Sequence, residues 1–239
     1  MKCYPHVKNV MLWDLDGTVI NSFGRVSPCL DANGNLDLQK YINTACTHDK
    51  VMTDSLLPLA EIMKAYQKLE GTHNIVITAR TMGKSDYYFL RKHGLITSTR
   101  QACSLMSRDR LHKYFDLDEV LKIYRCKDGE YKGFYFDRVR EMYPNATITM
   151  IDDHKGVLAV AVEKGFRAVD ATLLNDIIGI GATIAGADFL DDMLTDFSDP
   201  EILEENITRL WETLTVEEQE SLSTTVSTLA KRSHIEKVA

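Results

Sequence analysis

Three short apolar runs along the chain each end abruptly in polar residues. Val10-Met11-Leu12-Trp13 runs into Asp14, Ile75-Val76-Ile77 into Thr78, and Ile148-Thr149-Met150-Ile151 into Asp152-Asp153. Runs this short and this continuously apolar predict strands buried on both faces, as in a parallel sheet. Between them, residues 56–69, 86–93 and 134–142 space their apolar side chains as amphipathic helices do. Strand–helix alternation with right-handed crossovers predicts an α/β fold built on a doubly wound parallel, Rossmann-like sheet. Ligands bind such sheets beyond the carboxyl ends of the strands. The pattern therefore delivers Asp14, Thr78 and Asp152-Asp153 to one edge.

The remaining segments break the alternation. Residues 21–53 are richer in Gly, Pro, Asn and Asp, with a turn signal at Asp31-Ala32-Asn33-Gly34-Asn35. They predict a small cap or flap inserted after the first strand. A second irregular stretch, about 98–131, carries basic residues and is expected to form another wall of the cleft. From about Asp188 the pattern turns wholly helical. Pro200 follows Ser198 and Asp199 as capping residues, and Thr215 with Glu218 forms a capping-box signature. The predicted division is a core at 1–185, with its cap at 21–53, and a helical appendage at 186–239. The appendage carries no evident chemistry, and its expected use is packing against the core or against a second copy of the chain.

Composition narrows the classes. A chain of 239 residues with 44% hydrophobic and 26% charged residues can bury a substantial core. Its formal net charge is -7, so no global field draws in polyanions, and nucleic acid would need a local basic patch. The cysteines, Cys3, Cys29, Cys46, Cys103 and Cys126, are odd in number and scattered. This spacing argues against a disulfide framework or structural zinc and favours a reducing compartment. There is neither an apolar run of membrane-spanning length nor a signal-peptide pattern at the start, so a soluble, cytoplasmic protein is expected.

The segment Asp14-Leu15-Asp16-Gly17-Thr18 carries the most chemistry. Alternate strand residues share a face, so Asp14 and Asp16 point the same way. Two carboxylates that close repel by about 4 kcal/mol at an effective dielectric near 20. They call for a cation, a shared proton or separation. Gly17 permits a tight turn that brings backbone amides toward an anion. One carboxylate can then attack phosphorus while the other manages the leaving group's proton. A solvated turn is the plain structural alternative. A calcium loop is the other, but residues 18–25 lack the further acidic series and terminal Glu it requires.

An apolar strand followed by Asp-Leu-Asp-Gly-Thr-Val resembles the first motif of the haloacid dehalogenase-like (HAD) hydrolases. Ile75-Val76-Ile77-Thr78 resembles their second motif and Ile151-Asp152-Asp153 their fourth, in the same order across about two-thirds of the chain. The resemblance implies Asp14 as nucleophile and Asp16 as general acid/base. It further implies magnesium held by Asp14, the backbone carbonyl of Asp16 and Asp152, with Asp153 as a second acidic ligand or outer partner. Thr78 is expected to offer its hydroxyl and amide to phosphate oxygens, with Ala79 beside it. Arg80 is either a cleft cation or an ordinary surface arginine. The third-motif lysine is Lys132, just ahead of residues 134–142, or else Lys127.

These roles make the expected enzyme a magnesium-dependent phosphatase that works through an aspartyl-phosphate. Asp54-Ser55-Leu56-Leu57-Pro58 and Thr78-Ala79-Arg80 look like the 3′-phosphatase domains of phage-type polynucleotide kinases. No G-x-x-x-x-G-K-[ST] phosphate loop accompanies them. Arg100, Arg108, Arg110, His112 and Lys113 could track a nucleic-acid backbone, with Tyr114 and Phe115 stacking on bases; a solvated basic loop is the alternative. Nucleic-acid 3′-phosphate ends or nucleotides are thus the first expected substrates. A sugar or other small organic phosphate is the second, and a non-enzymatic scaffold with a vestigial site the third.

Overall fold

A computed structural model of the chain describes residues 3–32, 36–96, 105–185 and 216. Its centre is a five-stranded sheet in which all four pairings are parallel. The strands are β1 (Asn9–Trp13), β4 (Thr72–Ile77), β5 (Leu105–Met106), β6 (Thr147–Asp152) and β7 (Arg167–Asp170), ordered β5-β4-β1-β6-β7. The chain builds outward from β1 through β4 to β5, then crosses back to add β6 and β7. The reversal at β1 makes that strand's carboxyl end the switch point, where a crevice opens. Register completes the placement. Trp13 lies opposite both Val76 and Ile151, so Asp14 comes level with Asp152 and one residue short of Thr78.

The helices are α4 (Leu59–Tyr66), α5 (Lys84–Lys92), α6 (Leu117–Ile123), α7 (Asp128–Met142), α8 (Lys155–Glu163) and α9 (Ala171–Ala185). Val10, Leu12 and Trp13 are fully buried, as an all-apolar central strand requires. Helix α7 packs Tyr131, Tyr135, Phe136 and Val139 into the same cluster as Val10, Leu12, Ile148 and Met150. Burying side chains of this size stabilises by about 1.5–3 kcal/mol each, so α7 is anchored firmly enough to carry one charged residue inward. It begins at Asp128, six residues before the apolar pattern suggested. Gly129 and Gly133, inside this added first part of the helix, sit where it packs closely on α8. A methyl at Gly129 would lie 3.1 Å from the Gly156 carbonyl, and one at Gly133 3.1 Å from Val160 Cγ1.

A small insertion separates β1 from α4. A two-stranded antiparallel ribbon, β2 (Ile20–Asn21) with β3 (Ser55–Leu56), closes its base. Between them lie α1 (Phe23–Val26), α2 (Leu38–Lys40), a π turn at Tyr41–Ala45 and α3 (His48–Val51). The basic stretch holds β5, a 3-10 segment at Arg108–Lys113 and α6. Two compact units are formed, Met1–Asn175 and Asp176–Ala239. The appendage expected at 186–239, with its caps at Ser198–Pro200 and Thr215–Glu218, lies almost wholly outside the described residues, as do Arg100 and Cys103. Among the described residues no helix is long and apolar enough to cross a membrane. Cys3, Cys29, Cys46 and Cys126 are free.

Candidate active site

The loop after β1 is wound by its own backbone. The amides of Val19 and Ile20 both donate to the Leu15 carbonyl, and Gly17 N–H donates to Ile20 O at 2.9 Å. Gly17 sits at φ +76°, a left-handed conformation that costs other residues about 1–2 kcal/mol. A side chain there would also run into the Asp153 carboxylate, whose Cγ would lie 2.7 Å from the added carbon. Glycine is therefore required twice, once for the turn and once for the approach of Asp153. From 157 residues away, buried Asn175 pins the turn by donating to Thr18 O at 2.8 Å and accepting from Leu59 N–H at 2.9 Å.

Asp14 and Asp152 are buried side by side, with the Lys132 ammonium between them. Lys132 Nζ donates to Asp14 Oδ1 and to Asp152 Oδ2, each at 2.6 Å. The other oxygen of Asp152 accepts the His154 amide at 2.8 Å. Lys132 projects from within α7, and Tyr131 and Tyr135 fix that turn by donating to Thr78 O and Ser107 O. Lys127 is the exposed residue that precedes α7. Of the two lysines, Lys132 reaches the carboxylates.

Charge at this point does not balance. Two buried carboxylates share one ammonium, and Asp153 adds a third carboxylate. One oxygen from each of Asp14, Asp152 and Asp153 lies within 4.8 Å of the others. Burial drives the Asp14 carboxyl well above its usual range; Lys132 opposes this, while Asp152 and Asp16 add to it. Desolvation, then the Asp152 charge, push Asp153 up to about 6. Lys132 is raised despite its burial, because Asp14 and Asp152 favour its charged form. Three converging carboxylate oxygens with an uncompensated negative charge suit a hard divalent cation that keeps part of its water shell.

Asp16 is held apart from this cluster. Its carboxylate accepts two hydrogen bonds from the Arg80 guanidinium and one from Ser22 Oγ at 2.5 Å. Burial would raise the Asp16 carboxyl, but Arg80, Ser22 and Arg25 together hold it below its ordinary value. Arg80 is not a surface residue. It is buried and also pairs with Asp86 at 2.6 Å and lies 3.7 Å from Asp54. Asp54 in turn accepts from Arg25 Nε at 2.7 Å, and Arg25 reaches Tyr41 and the Ala45 carbonyl. The network Ser22–Asp16–Arg80–Asp54–Arg25–Tyr41 ties the insertion to the loop after β1.

Several expected contacts turn out differently. The Thr78 amide donates to Met106 O at 3.0 Å inside the sheet, so only its hydroxyl, which accepts from Arg80 N–H at 3.1 Å, faces other work. Ala79 is half-buried and gives its carbonyl to Arg108. Arg108 is structural: it also bonds the Tyr124 and Cys126 carbonyls and Asp128, and lies over Tyr131 at 4.2 Å. Phe115 is buried and Tyr114 half-buried, both packed edge-on against Tyr135. Neither ring is presented for base stacking. Sequence reasoning did not single out Arg25, Ser22 or Asn175. Arg25, in a stretch read as loop, is the one with a faint signal, since an insertion of this size has few charged residues to bury.

The family described as bacteriophage T5 5′-deoxynucleotidase matches residues 1–234 of the chain. A 5′-deoxynucleotidase of Escherichia phage T5 is 50% identical over 220 residues, covering 92% of this chain and 90% of that protein. No solved structure matches.

Proposed function

Because the chain belongs to the bacteriophage T5 5′-deoxynucleotidase family, and is thus an enzyme of the phosphoric monoester hydrolase class, we propose that it removes the 5′-phosphate of deoxynucleoside monophosphates through a phosphorylated Asp14. The supporting observation is the Lys132 ammonium placed between Asp14 and Asp152, with Asp153 converging on the same point. The relative's name favours nucleotides with a 5′-phosphate over the 3′-phosphorylated ends suggested by local resemblance. The motif order shared with HAD hydrolases supports the covalent route.

In this reading Asp14 attacks phosphorus in line, the P–O5′ bond breaks, and Asp16 supplies the proton that leaves with the nucleoside. Asp16 then takes a proton from water, which attacks the phosphoaspartate and releases orthophosphate. Lys132 compensates the charge that gathers on Asp14 and the phosphoryl oxygens. The Thr78 hydroxyl offers a further donor. Asp14, Asp152, Asp153 and the Asp16 carbonyl would hold magnesium, which when bound neutralises phosphate charge as a Lewis acid. Asp16, paired with Arg80 and Ser22, is arranged as a proton acceptor, the form suited to the hydrolytic half. To donate in the first half it must turn away from Arg80.

The test is phosphate release with magnesium across 5′-deoxynucleotides, 3′-deoxynucleotides, 3′-phosphorylated oligonucleotides and sugar phosphates. Preferred turnover of 5′-deoxynucleotides, absent in Asp14→Asn, is expected. Equal turnover of sugar phosphates, or preference for 3′-phosphates, overturns the substrate assignment.

A further inference from the structure

Helix α5 presents two different faces. Asp86, Phe89 and Leu90 are buried on one, where Asp86 clamps Arg80. Lys84, Tyr87, Tyr88 and Arg91 recur at i, i+3, i+4 and i+7, which places them in one stripe on the other. An open cleft of about 580 Å³ runs along this stripe, flanked by His48 from α3 of the insertion and by Arg110 from the 3-10 segment. Among the described residues, its lining holds no carboxylate.

The aromatic groups in the cleft are arranged around its opening. Tyr88 is 50% exposed, and its ring lies 5.6 Å from the His48 ring. His48 Nδ1 is 3.2 Å from Ser85 Oγ, which fixes the imidazole at the rim. Arg110 lies over the Tyr87 ring at 5.1 Å. The cleft therefore carries cationic side chains at Lys84, Arg91 and Arg110, the last packed over the Tyr87 ring, with the half-exposed Tyr88 between them. None of these residues belongs to the cluster around Asp14.

We infer that this cleft is a second binding site, for a nucleoside triphosphate, in which the triphosphate meets Lys84, Arg91 and Arg110 and the base stacks on Tyr88. Its volume lies in the range of about 300–1,000 Å³ typical of small-molecule sites, which holds one nucleotide. Three positive side chains, with no carboxylate among the described lining residues, match a polyphosphate better than a monophosphate. Stacking on an aromatic face tolerates any base, so discrimination falls on the phosphate count. The site does not depend on the chemistry at Asp14.

The experiment is calorimetric titration of the full-length chain with dATP, in chelator and in the Asp14→Asn background so that nothing is consumed. One equivalent of dATP is expected to bind, unaffected by saturating dAMP, and more tightly than inorganic tripolyphosphate by about fivefold or more, the contribution of base stacking. Arg91→Glu, an exposed change, is expected to weaken binding by about tenfold or more through like-charge repulsion. Tyr88→Ala is expected to remove the advantage over tripolyphosphate. Both changes, made in the otherwise wild-type chain, are expected to leave dAMP turnover intact, which separates this site from the catalytic one. Absence of binding, displacement by dAMP, indifference to Arg91→Glu, or tighter binding of a deoxythymidine oligomer than of dATP each overturns the inference.

Discussion

Replacing Lys132 with methionine removes the ammonium between Asp14 and Asp152 while keeping most of the side chain's volume. Each contact is 2.6 Å long, an attraction of about 6 kcal/mol at an effective dielectric near 20. Desolvation of the three charges opposes most of that gain. Breaking a buried pair by deleting one partner is nevertheless costly, about 3–5 kcal/mol, because the orphaned charge stays buried. A domain is stable by about 5–15 kcal/mol, so the variant should fold but with a sharply lowered margin. Urea unfolding in chelator, followed by circular dichroism, reads the loss directly. Adding Asp14→Asn to Lys132→Met should restore part of it, giving a coupling of about 1 kcal/mol or more between the two sites. Added magnesium should also stabilise the single variant, by supplying the missing positive charge. A Lys132→Met chain within about 0.5 kcal/mol of wild type in chelator, the range of an ordinary surface change, would refute the electrostatic reasoning.

Gly17→Ala forces a left-handed alanine and displaces Asp153; phosphate release should fall and the magnesium concentration for half-maximal rate should rise, both read from one metal titration. Asp54→Ala strands the buried Arg25, and thermal unfolding should report a loss of about 3–5 kcal/mol. Burial, and secondarily the nearby His6, hold the His73 imidazole below its usual range. The unfolded chain therefore takes up this proton first, so the stability involved is present above about pH 6.5 and is lost as pH falls below it. Replacement by Gln should flatten that acid-side decline, measured as the difference in urea midpoints between wild type and variant across pH 7.5 to 5.5.

The parts of the fold most open to reading were those in which one strand carries its own signal. Val10–Trp13 and Ile148–Ile151 are continuous apolar runs because both faces of a central strand are covered, and their register sets Asp14 beside Asp152. Strand β5 escaped notice because two residues have no period, and β7 because Arg167 and Ala168 are exposed. The start of α7 lay outside the apolar pattern, because its first turns carry Gly129 and Gly133 in close contact with α8 instead of large apolar side chains. The pattern therefore left Lys132 ahead of a helix instead of inside one. The Arg80–Asp16 pair was out of reach for a different reason. The two residues lie 64 positions apart, and no local pattern encodes which carboxylate a buried guanidinium will choose.

The most direct measurement of the account is chemical trapping at residue 14. Wild-type chain turning over dAMP with magnesium is quenched, reduced with borohydride and mapped by peptide mass spectrometry. Reduction of a phosphorylated aspartate yields homoserine, expected at position 14 and absent when either substrate or magnesium is withheld. Homoserine at Asp16, Asp152 or Asp153 instead, or active turnover of dAMP by Asp14→Asn, would contradict it.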